Sequence, residues 1–101
     1  LASFSALADQ AITDALSLLL ETGDTGGFVH VEESTQSNFT ARRSSFSSCS
    51  IRVMAGDAKS PIGDGSATYH AYVACPGFKK LGVRIKYNQP GKYHIVGYWS
   101  E

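Results

Sequence analysis

Three histidines, at positions 30, 70 and 94, and two cysteines, at 49 and 75, are the residues of this chain best equipped for chemistry. Three imidazoles and a water make a catalytic zinc site. Here each histidine falls in a different extended stretch, with no His-x-His or His-x3-His spacing. They read as separate surface histidines, and no metal is expected. The many serines include no Gly-x-Ser-x-Gly elbow, the strained turn that exposes a hydrolase nucleophile. Gly63-Asp64-Gly65-Ser66 lacks the acidic spacing of a calcium loop and the lysine of a phosphate loop, so it reads as a turn. No catalytic residue and no cofactor is expected.

Two short motifs concern modification. Asn38-Phe39-Thr40 satisfies the N-glycosylation sequon and lies in a serine- and threonine-rich stretch expected to be exposed. Arg42-Arg43-Ser44-Ser45 has the form of a basic kinase site, a reading that an extracellular location would void.

The two cysteines fall on inward-facing rows of neighbouring strands. If those strands pair across the turn at 56–66, Ile51 opposes Val73 and Cys49 opposes Cys75, because the sum of paired positions is constant. Directly opposed residues in an antiparallel pair approach to about 4.5–5.5 Å at Cα, within disulfide reach. A Cys49–Cys75 bridge is therefore expected. It implies an oxidising location: secreted, cell-surface or periplasmic.

The elements that position these residues follow from periodicity. From Phe4 to Leu19 the apolar residues are Phe4, Leu7, Ala8, Ala11, Ile12, Ala15, Leu16 and Leu19, the stripe of an amphipathic helix. Ser3 or Ser5 is placed to cap its start and Gly23 to end it. The period then changes to two. Phe28–Glu32 reads as a first strand, and Ser34–Ser48 shows no clear strand boundary. Cys49, Ile51, Val53 and Ala55 alternate with polar neighbours, as do Tyr69, Ala71, Val73 and Cys75. Leu81, Val83, Ile85 and Tyr87 form a hairpin with the strand from Tyr93, turning at Asn88-Gln89-Pro90-Gly91. The register that keeps one face apolar places Tyr87 opposite Tyr93, Ile85 opposite Ile95 and Leu81 opposite Trp99.

One helix followed by strands, without an intervening helical pattern, reads as a single α+β domain over residues 1–101. The N-terminal helix is expected to cover one face of a four- to five-stranded antiparallel sheet. The opposite face would carry Arg52, Thr68, His70, Tyr72, Arg84, Lys86, His94 and Tyr98. Arginine and aromatic residues are enriched at recognition hot spots, so Arg52, His70, Tyr72, Arg84, Lys86, His94 and Tyr98 are the candidate binding residues.

Composition bounds the function. With 101 residues, 43% hydrophobic and 18% charged, the chain is long enough for one core. Nine basic residues balance nine acidic ones, which argues against a nucleic-acid partner. No apolar run approaches the roughly 20 residues of a spanning helix. Because the chain begins at Leu1 rather than methionine, a membrane link is expected only through a removed N-terminal segment. These readings converge on a non-enzymatic, extracytoplasmic recognition or assembly module with a protein or glycan partner.

The helix-then-sheet order is similar, at the level of fold, to the globular head of pilin-like subunits and to cystatin-like protease inhibitors. The inhibitors' Gln-x-Val-x-Gly loop has no counterpart in Gln36-Ser37-Asn38-Phe39-Thr40. The Tyr93–Trp99 run is similar to the last strand of cone-shaped ligand-binding folds, which implies a small ligand-binding or enzymatic domain as the alternative. A deep pocket lined by Trp99 and Tyr87 would favour that alternative. A filled inner face with an aromatic-basic outer face would favour recognition.

Overall fold

The computed structural model describes residues 4–55, 67–87 and 92–100, and side chains from residue 10 onward within them, apart from those of residues 55 and 67. Helix α1 (Phe4–Thr22) follows the apolar stripe. Ile12, Ala15, Leu16, Leu19 and Leu20 are buried, while Ala11, expected on the core face, is exposed. Gly23 ends the helix as anticipated. Its φ of 80° lies in the left-handed region, and its N–H donates to the Leu19 carbonyl at 2.9 Å. Ser3 and the turns at 56–66 and 88–91, including Gly63–Ser66, lie outside the described residues.

After α1 come a two-residue strand β1 (His30–Val31), a second helix α2 (Glu33–Arg42) and a 3-10 segment (Arg43–Ser48). Strands β2 (Ser50–Ala55), β3 (Ala67–Ala74), β4 (Leu81–Tyr87) and β5 (Tyr93–Ser100) complete the chain. The sheet order is β1-β5-β4-β3-β2. It is antiparallel except where β1 runs parallel to β5, pairing His30 with His94 and Val31 with Ile95. The α+β class holds, with two helices in place of one.

Helix α2 corrects the reading of Ser34–Ser48. Its buried residues are Thr35, Phe39 and Arg42, at helical spacing, but two of the three are polar. A search for apolar periodicity therefore passes over it. Its polar side chains turn back on the helix: Ser37 Oγ donates to Glu33 O, Asn38 Nδ2 to Ser34 O and Thr40 Oγ1 to Gln36 O. Glu32 caps the start, accepting the Ser34 N–H at 2.8 Å and the Thr35 hydroxyl at 3.2 Å.

Both arginines of the Arg42-Arg43 pair are absorbed by the fold. Arg43 donates to the Leu20 carbonyl at 3.0 Å and the Leu19 carbonyl at 3.3 Å, capping the negative end of α1. Arg42 is only 5% exposed. It donates to the carbonyls of Asn38 and Lys79 and lies 4.9 Å from the Phe78 ring centroid. Burial lowers its pKa, and its Nε finds no partner.

The β2–β3 register pairs Ile51 with Val73, as parity required, and a Cys49–Cys75 disulfide closes just beyond it with Cα atoms 4.2 Å apart. The inner face is filled by Phe39, Leu16, Leu19, Val73, Leu81, Val83, Ile85 and Ile95, each no more than 1% exposed. On the β4–β5 side, Tyr87 pairs with Tyr93 and Ile85 with Ile95 as expected. A bulge then leaves Val96 without a partner, so Leu81 faces Ser100 and Gly82 faces Trp99. Beyond the bulge every side chain changes face.

Two outcomes are expected. Replacing both cysteines by alanine lowers unfolding stability by about 3 kcal/mol in denaturant titration, since the bridge closes a long loop. The hydrogen bonds from the Ser34 N–H and side chain hold the Glu32 carboxyl below its ordinary range. A folded-state pKa below the unfolded one means stability present above the unfolded carboxylate range and lost as pH falls through the folded value. Glu32→Gln therefore lowers Tm at neutral pH, and its deficit against the wild type shrinks in acid.

Candidate recognition surface

The sheet face turned away from the helices is ordered by register into three rows. Arg52, Tyr72, Gly82 and Trp99 form the first, and Met54, His70, Arg84 and Gly97 the second. Thr68, Lys86, His94 and His30 form the third. Six of the seven candidates, Arg52, His70, Tyr72, Arg84, Lys86 and His94, thus share one face. Tyr98 does not. The bulge pairs it with Val83, whose side chain is buried, so Tyr98 belongs to the inner-face row and Trp99 takes its place outside.

Trp99 is the centre of this surface. An added Cβ on Gly82 would fall 2.2 to 2.6 Å from three indole carbons, so the ring lies directly over the glycine. Gly82 is buried as a result and Trp99 half-buried. The imidazole of His70 and the phenol of Tyr72 stand at 80° and 90° to the indole, with centroids 5.5 and 5.7 Å away. Edge-to-face pairs of this kind are favourable beyond their area. The glycine is the sequence signal that reasoning from alternation missed, since an isolated glycine within a strand often marks a close approach.

Beside Trp99 an open groove of about 410 Å³ runs towards the β2 edge, lined by Ser50, Arg52, Met54, Tyr72, Ala74 and Lys80. Lys80 Nζ sits 5.2 Å from the Tyr72 ring centroid, within cation–π range. Lys80, Met54 and Trp99 are participants that the sequence reading did not select.

The charge of this face departs from that of the chain. The five strands contain no aspartate or glutamate, while Arg52, Arg84 and Lys86 lie on them and Lys79, Lys80 and Lys92 on their approaches. Among the described residues the acidic groups lie on or beside the helices, at Asp9, Asp14, Glu21, Asp24, Glu32 and Glu33. Among the described residues the carboxylates are thus kept off the strands.

The histidines do not converge. His30 and His94 are register partners, but His70 lies two strands away, and among the described residues no group of three or more His, Cys, Asp or Glu is placed to hold a metal ion. Asn38 lies half-buried on α2, with its Nδ2 donated to Ser34 O and its Oδ1 accepting from Arg42. A glycan there would replace one of the two Nδ2 hydrogens of a side chain already engaged with Ser34 O and Arg42. Trp99 and Tyr87 face opposite sides of the sheet, Tyr87 stacking with Tyr69 and Tyr93 at 5.3 Å on the inner side. Among the described residues they line no common pocket.

Comparison with protein-family models, curated proteins and solved structures returns no match. Among the described residues, no helix is long and apolar enough to cross a membrane.

Gly82→Ala tests the central contact. The new methyl displaces the indole, costing about 1–3 kcal/mol of stability and red-shifting the emission of the chain's one tryptophan.

Proposed function

We propose that this chain is a non-enzymatic recognition module, secreted, cell-surface or periplasmic, that binds a protein or glycan partner through the outer face of its sheet. The observation that carries the reading is the gathering of Trp99, Tyr72, Arg52, Lys80 and Arg84 on one open face, while the inner face is filled with side chains. Tryptophan, tyrosine and arginine are the residue types that dominate binding hot spots. The disulfide fits an extracellular location.

The test is a pair of arrays, one of glycans and one of secreted and surface proteins, probed with the labelled chain. The reading expects a signal that Arg52→Ser with Arg84→Ser abolishes and that Glu21→Ser, on α1, leaves intact. Signals unaffected by the arginine pair, or the same loss from the helix variant, would overturn the assignment of this face.

A further inference from the structure

Resting on that reading, we infer that the partner is an anionic saccharide, a chain of sugar rings bearing sulfate or carboxylate groups. Its ring would stack on Trp99 while its charged groups meet Arg52, Lys80 and Arg84. Three features of the face lead there.

The first is the sign of the charge. A face whose strands hold no carboxylate but do hold Arg52, Arg84 and Lys86 presents a positive potential to anything approaching from that side. The acidic residues among those described lie on or beside the helices. A neutral or basic partner gains nothing from this arrangement, whereas a polyanion is both steered to it and held by it.

The second is the shape around the indole. Trp99 lies over Gly82, and His70 and Tyr72 stand almost perpendicular to it. The arrangement is a flat floor with two upright walls, and the half-buried indole still meets solvent. The negative face of an aromatic ring attracts positively polarised hydrogens, and a sugar ring presents such C–H hydrogens on a flat side. An acidic peptide would use the arginines but has no equivalent planar unit to set on the floor.

The third is the distribution of cations about that floor. Arg52 and Lys80 line the groove that opens beside it, and Arg84 sits one row away, next to His70. A ring stacked on Trp99 therefore has cations in two directions, across the strands at Arg52 and Lys80 and along β4 at Arg84, suited to substituents spaced along a saccharide. Guanidinium groups bind oxyanions with paired, charge-assisted hydrogen bonds. Single-stranded nucleic acid also combines stacking with basic grooves. The disulfide, which belongs to oxidising compartments, favours the saccharide.

The experiment uses the full disulfide-bonded chain and its single tryptophan as reporter. The probes are a heparin-derived hexasaccharide, a polygalacturonate hexasaccharide, maltohexaose, a poly-glutamate peptide and oligo-dT. One or both acidic saccharides should change Trp99 fluorescence saturably and shift the amide resonances of Arg52, Tyr72 and Arg84. Affinity should fall about tenfold from about 50 to about 300 mM salt, as screening predicts. Arg52→Ser with Arg84→Ser should weaken it by a similar factor with Tm retained, and Arg84→Lys should recover part of the loss.

Equal affinity for maltohexaose, or tighter binding of poly-glutamate or oligo-dT at the same resonances, would overturn the saccharide while leaving the face a recognition surface. Failure of both acidic saccharides would overturn it too. The recognition reading itself falls only if the arrays also give no signal sensitive to the arginine pair.

Discussion

Burying one face of the sheet under α1 and α2 is the constraint from which the other features of this molecule follow. Among the described residues two helices cover five strands, and both lie on the same side, α1 against β2 and α2 against β5. The inner side chains of β3 and β4, Ala71, Val73, Leu81, Val83 and Ile85, are completely buried. Hydrophobic burial of this kind is the dominant favourable term in folding. Among the described residues the opposite face receives no such cover, so its residue types are free to be set by contact with something else.

Within that frame a single unmatched residue decides the character of the outer face. Had β5 kept strict alternation, Trp99 would oppose Leu81 beneath the helices. The bulge at Val96 turns it outward, where Gly82 leaves room for an indole to lie against the backbone. Two irregularities, a glycine in β4 and an extra residue in β5, are thus complementary. The same step moves Tyr98 to the inner-face row, on a stretch of β5 that β1 does not reach, where it remains 39% exposed.

Charge is partitioned by the same architecture. The two arginines that look most available in the sequence, Arg42 and Arg43, are consumed by helix ends and by the turn after β3. Carbonyl oxygens and the Phe78 ring take the place of a counter-ion for Arg42, which accepts the desolvation that burial imposes. Arg52 and Arg84 stand exposed on the outer face, and among the described residues the carboxylates lie on or beside the helices. A balanced composition therefore conceals an uneven placement of charge among the described residues.

By itself the sequence determined the helix from Phe4, its stop at Gly23, the two antiparallel hairpins, the Ile51–Val73 register and the disulfide that the register carries. Each of these is written in local periodicity or in parity, which need no knowledge of distant neighbours. Six of the seven candidate surface residues followed from the same parity. Tertiary structure alone decided α2, whose buried stripe of Thr35, Phe39 and Arg42 is mostly polar and becomes intelligible only beside the carbonyls it meets. It alone decided the parallel docking of β1 on β5, a pairing across more than sixty residues of chain. The placement of Trp99 belongs there too: a bulge exchanges the two faces of a strand, and whether one forms depends on what lies across the sheet.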